Sequence, residues 1–270
     1  MRRPETIDSK HPLLSGRSML LSELTWQDVD RLDRDTPVIV PVAALEQHGL
    51  HMPVFTDSLL LDAIIEQAHP SFTENSLVLP LTWLGNSHHH LDFPGTVSAE
   101  PRLWIDMLSG LVDNFITHGF KRIVVLNGHG GNDVPGRQAM FEIRQRYRER
   151  NDLLLLFSTY WNLIKTPPSV VAELEQGEMG HACEWETSMI LHLRPDLVKQ
   201  HEEVKAVSQS GSFQPAQRAW TMPDRSQAGH IGSPAKASAR KGEELLGLFS
   251  QGVSDLIQRV IRWDGHSWDG

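Results

Sequence analysis

The stretch PVIVPVAALEQHGLHMPVFTD, residues 37–57, joins a continuous apolar run to an abrupt cluster of acidic and imidazole side chains. Its apolar part, residues 37–45, has the length and the β-branched content of a strand that is buried on both faces. Glu46 and His48 follow directly and are two residues apart, so an extended backbone projects both side chains to the same side. Asp57 comes after a short loop and can return to the same place.

Carboxylate and imidazole groups at this spacing suit a divalent metal ion, which accepts a mixture of hard oxygen and borderline nitrogen ligands. A second interpretation of the stretch is equally open. In it, His48 and His51 are loop histidines on the surface, and Glu46 caps the next element. A run with helical apolar spacing follows, and either Asp57 or Ser58 could be the N-cap of that helix. The stretch therefore predicts a buried strand that is followed by a candidate metal site. The rest of the chain must decide between that site and the plainer interpretation.

The composition favours a large globular α/β enzyme. With 270 residues, we expect a single domain over residues 18–270, preceded by a flexible arm at residues 1–17. Asp and Glu number 34 against 25 Lys and Arg, so the net charge is -9, and no basic stripe suggests nucleic acid as a partner. The single cysteine, Cys183, excludes an internal disulfide, and we expect it to be small and buried rather than a nucleophile.

Membrane partners are not expected either. No apolar run approaches the roughly 18 residues that span a bilayer, and the N-terminal residues lack the apolar segment of a signal peptide. We therefore expect a cytoplasmic protein with a small-molecule substrate.

Strand-like and helix-like patterns alternate along the chain, which predicts an α/β fold with a mostly parallel sheet. The predicted strands cover residues 37–45, 77–84, 123–126 and 153–161. The predicted helices cover residues 22–32 with Ser22 as N-cap, 58–69, 100–119 with Gly119 in the C-terminal cap, 135–150, 186–193 and 236–263. Residues 203–234 are polar and too long for an ordinary connection, which favours a lid, a partner contact or a mobile segment.

Polar residues follow several of the predicted strands, where open α/β sheets place their ligands. NGHGGN, residues 127–132, surrounds His129 with glycines that let the backbone approach a bound ion closely, and it lacks the spacing of a phosphate-binding loop. A run of three histidines that ends at His90 follows another strand. His181 lies on a loop before a helix, and Glu186 near that helix start could also serve the helix dipole.

Several of these motifs together resemble the creatininase (creatinine amidohydrolase) family. They are LTW near the start, ALEQHGxHxPxxxD, the FPGT turn, NGHGGN, the ETS helix start after a histidine, and SPAKASARKGEE near the end. The resemblance runs from about Leu24 to the final helix. It implies a three-layer αβα sandwich, a site with two divalent ions of zinc or manganese type, with Fe²⁺ as a further option, and a homohexamer.

By resemblance, Glu46, Asp57 and His129 hold one ion, while His48 and a bridging Asp57 hold the other. Creatinine-cleaving members carry a glutamate ligand where this chain has Gly131, and Glu186 is the predicted replacement.

The resemblance also implies contacts for the substrate. A tryptophan that covers creatinine in those members corresponds to Gly177 here, whereas Trp161 matches a family aromatic. We expect His90 and Trp161 to contact the substrate. His181 and Glu186 are the predicted catalytic residues, with His181 as the proton donor to the leaving group.

The predicted function is metal-dependent hydrolysis of a C–N bond, other than a peptide bond, in a small cyclic amide or formamide by a metal-activated water. Two alternatives stay open. One is hydrolysis of a C–C bond in a cyclic diketone of the oxidised inositol type, and the other is a metal-binding protein without turnover.

Overall fold

We describe a computed structural model of the chain, which covers residues 19–73, 75–164, 171, 173–208, 213 and 215–268. The predicted arm at residues 1–17 lies outside the described residues, as does part of the predicted loop at 203–234. None of the described helices is long and apolar enough to cross a membrane.

A four-stranded, fully parallel sheet forms the centre of the fold, so the predicted sheet is confirmed. Its strands are β1 (Val38–Val42), β2 (Leu77–Val78), β3 (Arg122–Asn127) and β4 (Leu154–Thr159), in the spatial order β2-β1-β3-β4. In the register, Val38 pairs with Ile123, and Ile123 pairs with Leu155. Because all strands run in the same direction, the segments after β1, β3 and β4 emerge at one edge of the sheet.

Side chains alternate between two apolar cores, one on each face of the sheet. Val38, Val40 and Val42 pack on one face, whereas Ile39 and Ala43 pack on the other. All of them are buried, as a central parallel strand requires. The two cores give the molecule three layers, which confirms the predicted αβα sandwich.

Seven α-helices surround the sheet and form the outer layers. They are α1 (Trp26–Asp30), α2 (Thr56–Ala68), α3 (Pro101–Thr117), α4 (Asp133–Arg146), α5 (Glu184–Leu193), α6 (Met222–Arg225) and α7 (Ala239–Arg262) among the described residues. One core is shared by α2, α5 and α7, and the other by α3 and α4. The long apolar stripe of α7 packs against α2 and α5, as its sequence pattern indicates.

Two predicted elements differ from the structure. The strand predicted at 77–84 is regular only over Leu77–Val78. The Leu79 N–H still donates to the Ile39 carbonyl at 3.0 Å, but the next residue of β1 that faces β2 is Pro41, which has no backbone N–H to return a hydrogen bond. Pairing resumes where the Thr82 N–H donates to the Pro41 carbonyl at 3.0 Å. The helix predicted from Ser22 begins at Trp26 instead, because Thr25 and Asp28 form a capping box.

Candidate metal centre

Five of the residues predicted from sequence as ligands converge at the carboxyl edge of the sheet. Glu46 and His48 follow β1, His129 follows β3, and Asp57 and Glu186 lie in the first turns of α2 and α5. Their ligand atoms form two groups, Glu46–Asp57–His129 and His48–Asp57–Glu186, and within each group the atoms lie within 4.8 Å of one another. Asp57 belongs to both groups, which is the geometry that a bridging carboxylate requires.

His48 presents one ring nitrogen to this cluster and binds backbone with the other. Its Nδ1–H donates to the backbone carbonyl of Glu46 at 3.1 Å. Its Nε2 lies 3.1 Å from Oδ1 of Asp57 and 3.6 Å from Oε1 of Glu186. The carbonyl can only accept, so Nδ1 carries a proton and Nε2 is the nitrogen that is available to a metal ion.

His129 has the same arrangement with its nitrogens exchanged. Its Nε2–H donates to the backbone carbonyl of Asn86 at 3.0 Å, and its Nδ1 lies 2.9 Å from Oδ2 of Asp57 and 3.4 Å from Oε1 of Glu46. The side chain of Asn127 holds the turn, because it accepts from the His129 backbone N–H at 3.1 Å and donates to the His129 carbonyl at 2.6 Å. Metal-ligating imidazoles characteristically carry such a second hydrogen bond.

The cluster fits divalent metal because carboxylate oxygens and inward-facing imidazole nitrogens converge on the same space. Oε2 of Glu46 and Nε2 of His48 are buried and make no hydrogen bond to any other described residue. A buried polar atom without a partner is costly unless an ion or a proton satisfies it. Three carboxylates with two imidazoles are also a ligand set that zinc and manganese accept.

The pKa values of His129, Asp57 and Glu46 reflect how closely these side chains are packed. Burial alone would lower the pKa of His129, but the Glu46 and Asp57 carboxylates outweigh it and raise the pKa to about 10. Burial would raise the pKa of Asp57, but the His48 and His129 rings hold it well below its usual value. Burial raises the pKa of Glu46, and the neighbouring Asp57 adds to the rise. Without an ion, the cluster thus retains protons that a metal would displace.

The alternative interpretations of this stretch fail on burial and capping geometry. His48 and His51 are each 1% exposed, so neither is a surface loop histidine. The N-cap of α2 is Phe55, and the side chain of Asp57 caps nothing. Glu186 combines two contacts, because its Oε2 accepts the Cys183 backbone N–H at 3.3 Å while its Oε1 faces His48.

His90 and His181 line the cluster on its open side. Nε2 of His90 and Nδ1 of His181 each lie 3.5 Å from Oε1 of Glu46. Burial lowers the pKa of both rings, and neighbouring histidines lower it further, to about 2 for His90. His181 is therefore neutral at pH 7, and it must gain a proton before it can act as the predicted proton donor.

The cluster forms the floor of a cavity of about 810 Å³. Trp161, predicted to contact the substrate, lies on its wall, together with Arg218, Trp220 and Arg225 from the segment around α6. Trp220 packs edge-on against His89 at 5.1 Å between ring centroids, and the Arg225 guanidinium lies 5.1 Å from the Trp220 ring. The sequence analysis did not predict Arg218, Trp220 or Arg225 as site residues, because the polar segment that carries them has no periodic pattern. Trp220 was nevertheless a usable signal within that segment.

Gly131 lies where the backbone leaves no room for a side chain. A Cβ atom there would sit 2.3 Å from the Asn86 carbonyl oxygen and 2.4 Å from Nε2 of His129. Those two atoms form the hydrogen bond that orients His129. At Gly177, in contrast, no atom lies within 4 Å of an added Cβ.

The sequence is similar to that of known proteins over most of its length. The family model described as "Creatininase: Creatinine amidohydrolase" matches residues 22–257. Creatinine amidohydrolase of Pseudomonas putida is 30% identical over 259 residues, which cover 90% of this chain and 97% of that protein. Mycofactocin precursor peptide peptidase of Mycolicibacterium smegmatis is 30% identical over 231 residues, covering 84% of this chain and 85% of that protein.

Solved structures that resemble this chain include several creatininases. A crystal structure of creatinine amidohydrolase (creatininase) has a TM-score of 0.78 and 29% identity, and covers 92% of this chain and 100% of its own. Related structures with a TM-score of 0.77 include one named "Creatininase Mn" and a mutant of "Zn-Zn type". A shorter match of 102 residues, 37% of this chain and 32% of the relative, is 32% identical to 3-dehydro-scyllo-inosose hydrolase of Thermotoga maritima.

Proposed function

Because the chain belongs to the creatininase family, we propose that it is a metal-dependent hydrolase that cleaves a C–N bond in a small cyclic amide or formamide. One observation carries the proposal. Two buried imidazoles, His48 and His129, each bind a backbone carbonyl with one nitrogen and turn the other toward the carboxylates of Asp57 and its neighbours. This polarity supports a pair of divalent cations that share Asp57.

The proposed ions are zinc, manganese or both, with Fe²⁺ as a further option, one in each ligand group. Glu46 and His129 would complete the first group, and His48 and Glu186 the second. Bound divalent ions lower the pKa of a water molecule from about 15.7 toward about 7, which supplies a nucleophile at neutral pH. The relatives named for manganese and zinc support the choice of metals.

His181 supplies the proton transfer that C–N cleavage needs. Its ring is neutral at pH 7, with Nδ1 directed toward Oε1 of Glu46 at 3.5 Å. It can accept the proton released by the nucleophile and deliver it to the leaving nitrogen, which would otherwise depart as an unstable anion. Trp161 on the cavity wall and His90 on its floor are the proposed substrate contacts.

Creatinine itself is not the proposed substrate. Gly131 and Gly177 stand where creatinine-cleaving relatives are expected to have a glutamate and a tryptophan, and the crowding around Gly131 fits a site built without that glutamate. The inosose hydrolase among the relatives supports C–C cleavage of an oxidised inositol as a second candidate, and the mycofactocin precursor peptide peptidase supports a peptide bond as a third. We also propose a cytoplasmic homo-oligomer, a homohexamer by family resemblance.

The test is a substrate panel with zinc-loaded and manganese-loaded protein. The panel contains lactams, N-formyl compounds, oxidised inositols, short peptides and creatinine. We expect turnover of a lactam or formamide that disappears in Asp57→Ala and persists in Asp62→Ala, an exposed carboxylate on the same helix. Turnover of only the inositols or only the peptides would show that the protein cleaves a different bond from the proposed one. Metal binding without turnover of any compound would favour the non-catalytic alternative.

A further inference from the structure

Two imidazoles approach the same carboxylate oxygen from the open side of the metal centre. His90 and His181 both lie 3.5 Å from Oε1 of Glu46, and their ring centroids are 4.3 Å apart. Rings so similarly placed would be expected to play interchangeable roles. Their hydrogen bonds differ, however, and both of those bonds lead to one residue, Gln47.

The side-chain amide of Gln47 has a defined orientation. Its Oε1 accepts the Gly49 backbone N–H at 2.9 Å, and its Nε2 donates to the Gly229 carbonyl at 2.8 Å. A reversed amide would set carbonyl against carbonyl and N–H against N–H. Since Gln47 is 5% exposed, water does not compensate such a reversal.

The amide orientation fixes the proton of His90. Nε2 of Gln47 lies 2.7 Å from Nδ1 of His90, so the amide donates and Nδ1 accepts. A neutral imidazole that accepts at one nitrogen carries its proton on the other. The N–H of His90 is therefore at Nε2, the atom that faces Glu46 and the cavity.

The backbone carbonyl of Gln47 fixes the opposite polarity in His181. Nε2 of His181 lies 2.9 Å from that carbonyl, which can only accept, so Nε2 carries the proton. The amide nitrogen of Gln47 lies 3.1 Å from the same Nε2, and two N–H groups do not bond each other. Nδ1 of His181, which faces Glu46, is thus a lone pair.

We infer that Gln47 is a positioning residue that makes His90 a fixed hydrogen-bond donor and His181 a fixed proton acceptor. The catalytic consequence rests on the proposed function, whereas the proton positions do not. The His90 N–H is available to the substrate carbonyl oxygen, where negative charge develops during attack. It also keeps His90 from ligating a metal through Nε2, although Glu46, His89 and His90 form another group within 4.8 Å.

The proton positions can be measured directly on the wild-type protein. Zinc-loaded, ¹⁵N-histidine-labelled protein gives the tautomer of each ring from its nitrogen shifts, and the variants His90→Asn and His181→Asn assign the two rings. We expect protonated Nε2 in both, with Nδ1 of His90 as an acceptor. Protonated Nδ1 in His90 or in His181 would overturn the inference, whether or not a substrate has been found.

A substitution then tests whether Gln47 sets these positions. Gln47→Met removes the three hydrogen bonds of the side-chain amide but keeps the backbone carbonyl, so we expect His90 to lose its single tautomer and His181 to keep its own. Gln176→Met is the matched control, since Gln176 is also buried and its amide bonds backbone groups away from both rings. Metal content should equal that of the wild type in both variants. An unchanged His90 in Gln47→Met would refute the positioning role.

Discussion

Removal of the Lys241 ammonium should destabilise the fold strongly, because it leaves a buried carboxylate without its cation. Nζ of Lys241 lies 2.7 Å from Oε1 of Glu184, and the two side chains are 7% and 0% exposed. Glu184 also accepts the backbone N–H groups of Glu175 and Gln176, at 3.2 and 2.6 Å. In Lys241→Met, those two amides alone must stabilise the charge at the first residue of α5.

The expected loss is about 3–5 kcal/mol in the free energy of unfolding, which is the usual cost of a buried charge that loses its partner. Adjacent Arg240 is the control, because its contacts with Glu173 and Glu244 involve side chains that are 34–75% exposed. Arg240→Met should cost less than about 1 kcal/mol.

Urea denaturation of metal-free protein measures both losses, and the melting temperature of Lys241→Met should fall by roughly 6–20 °C. Glu186 lies half a turn beyond Glu184 on α5, so we also expect weaker metal binding in Lys241→Met. A loss equal to that of Arg240→Met would refute the reasoning that this pair is buried and coupled to the helix start.

Three further perturbations test individual parts of the site. Gly131→Ala should lower the free energy of unfolding by about 1–3 kcal/mol and weaken metal binding, because its Cβ intrudes on the hydrogen bond of His129. Urea titration measures the first quantity and metal titration the second. In Gly130→Ala, where no atom lies within 4 Å of the added Cβ, both quantities should match the wild type. The metal-free protein should melt at progressively lower temperature as the pH rises from about 6.5 to about 10. Protonated His129 stabilises the folded state, and this stabilisation is complete below the pKa of His129 in the unfolded chain and is lost as the pH approaches its raised pKa in the folded protein. A calorimetric melting temperature that rises over this range would contradict the assignment. Cys183 should resist thiol reagents at pH 8 in the native protein and react after denaturation, because burial and the nearby Glu186 raise its pKa to about 12. Rapid labelling of the native protein would show instead that the thiol is accessible.

Much of the fold follows from the sequence because each strand is a short apolar run that ends in polar residues. That pattern predicted β1, β3 and β4 and the edge where Glu46, Asp57 and His129 meet. Periodicity was less informative at the edge strand β2, where the ladder with β1 stops at Pro41, and at α1, where the local capping of Thr25 outweighs the apolar spacing.

The supporting shell of the site could not be derived from local patterns. Gln47 was visible within the EQHG motif, but apart from Gly49 the partners of its side chain are 43 to 182 positions away. Trp220 reaches the cavity from a polar segment without periodicity. Such contacts depend on how loops fold back over the sheet, and that arrangement is set by packing of the whole chain rather than by neighbouring residues.

The metal content of protein purified without added metal tests the central claim most directly. Elemental analysis should give about two ions per chain for the wild type, about one for Glu186→Gln and about none for Asp57→Ala, because Asp57 belongs to both ligand groups. Asp62→Ala should retain the wild-type content. If Asp57→Ala instead binds as much metal as the wild type, the shared carboxylate and the two-ion site that depends on it are wrong.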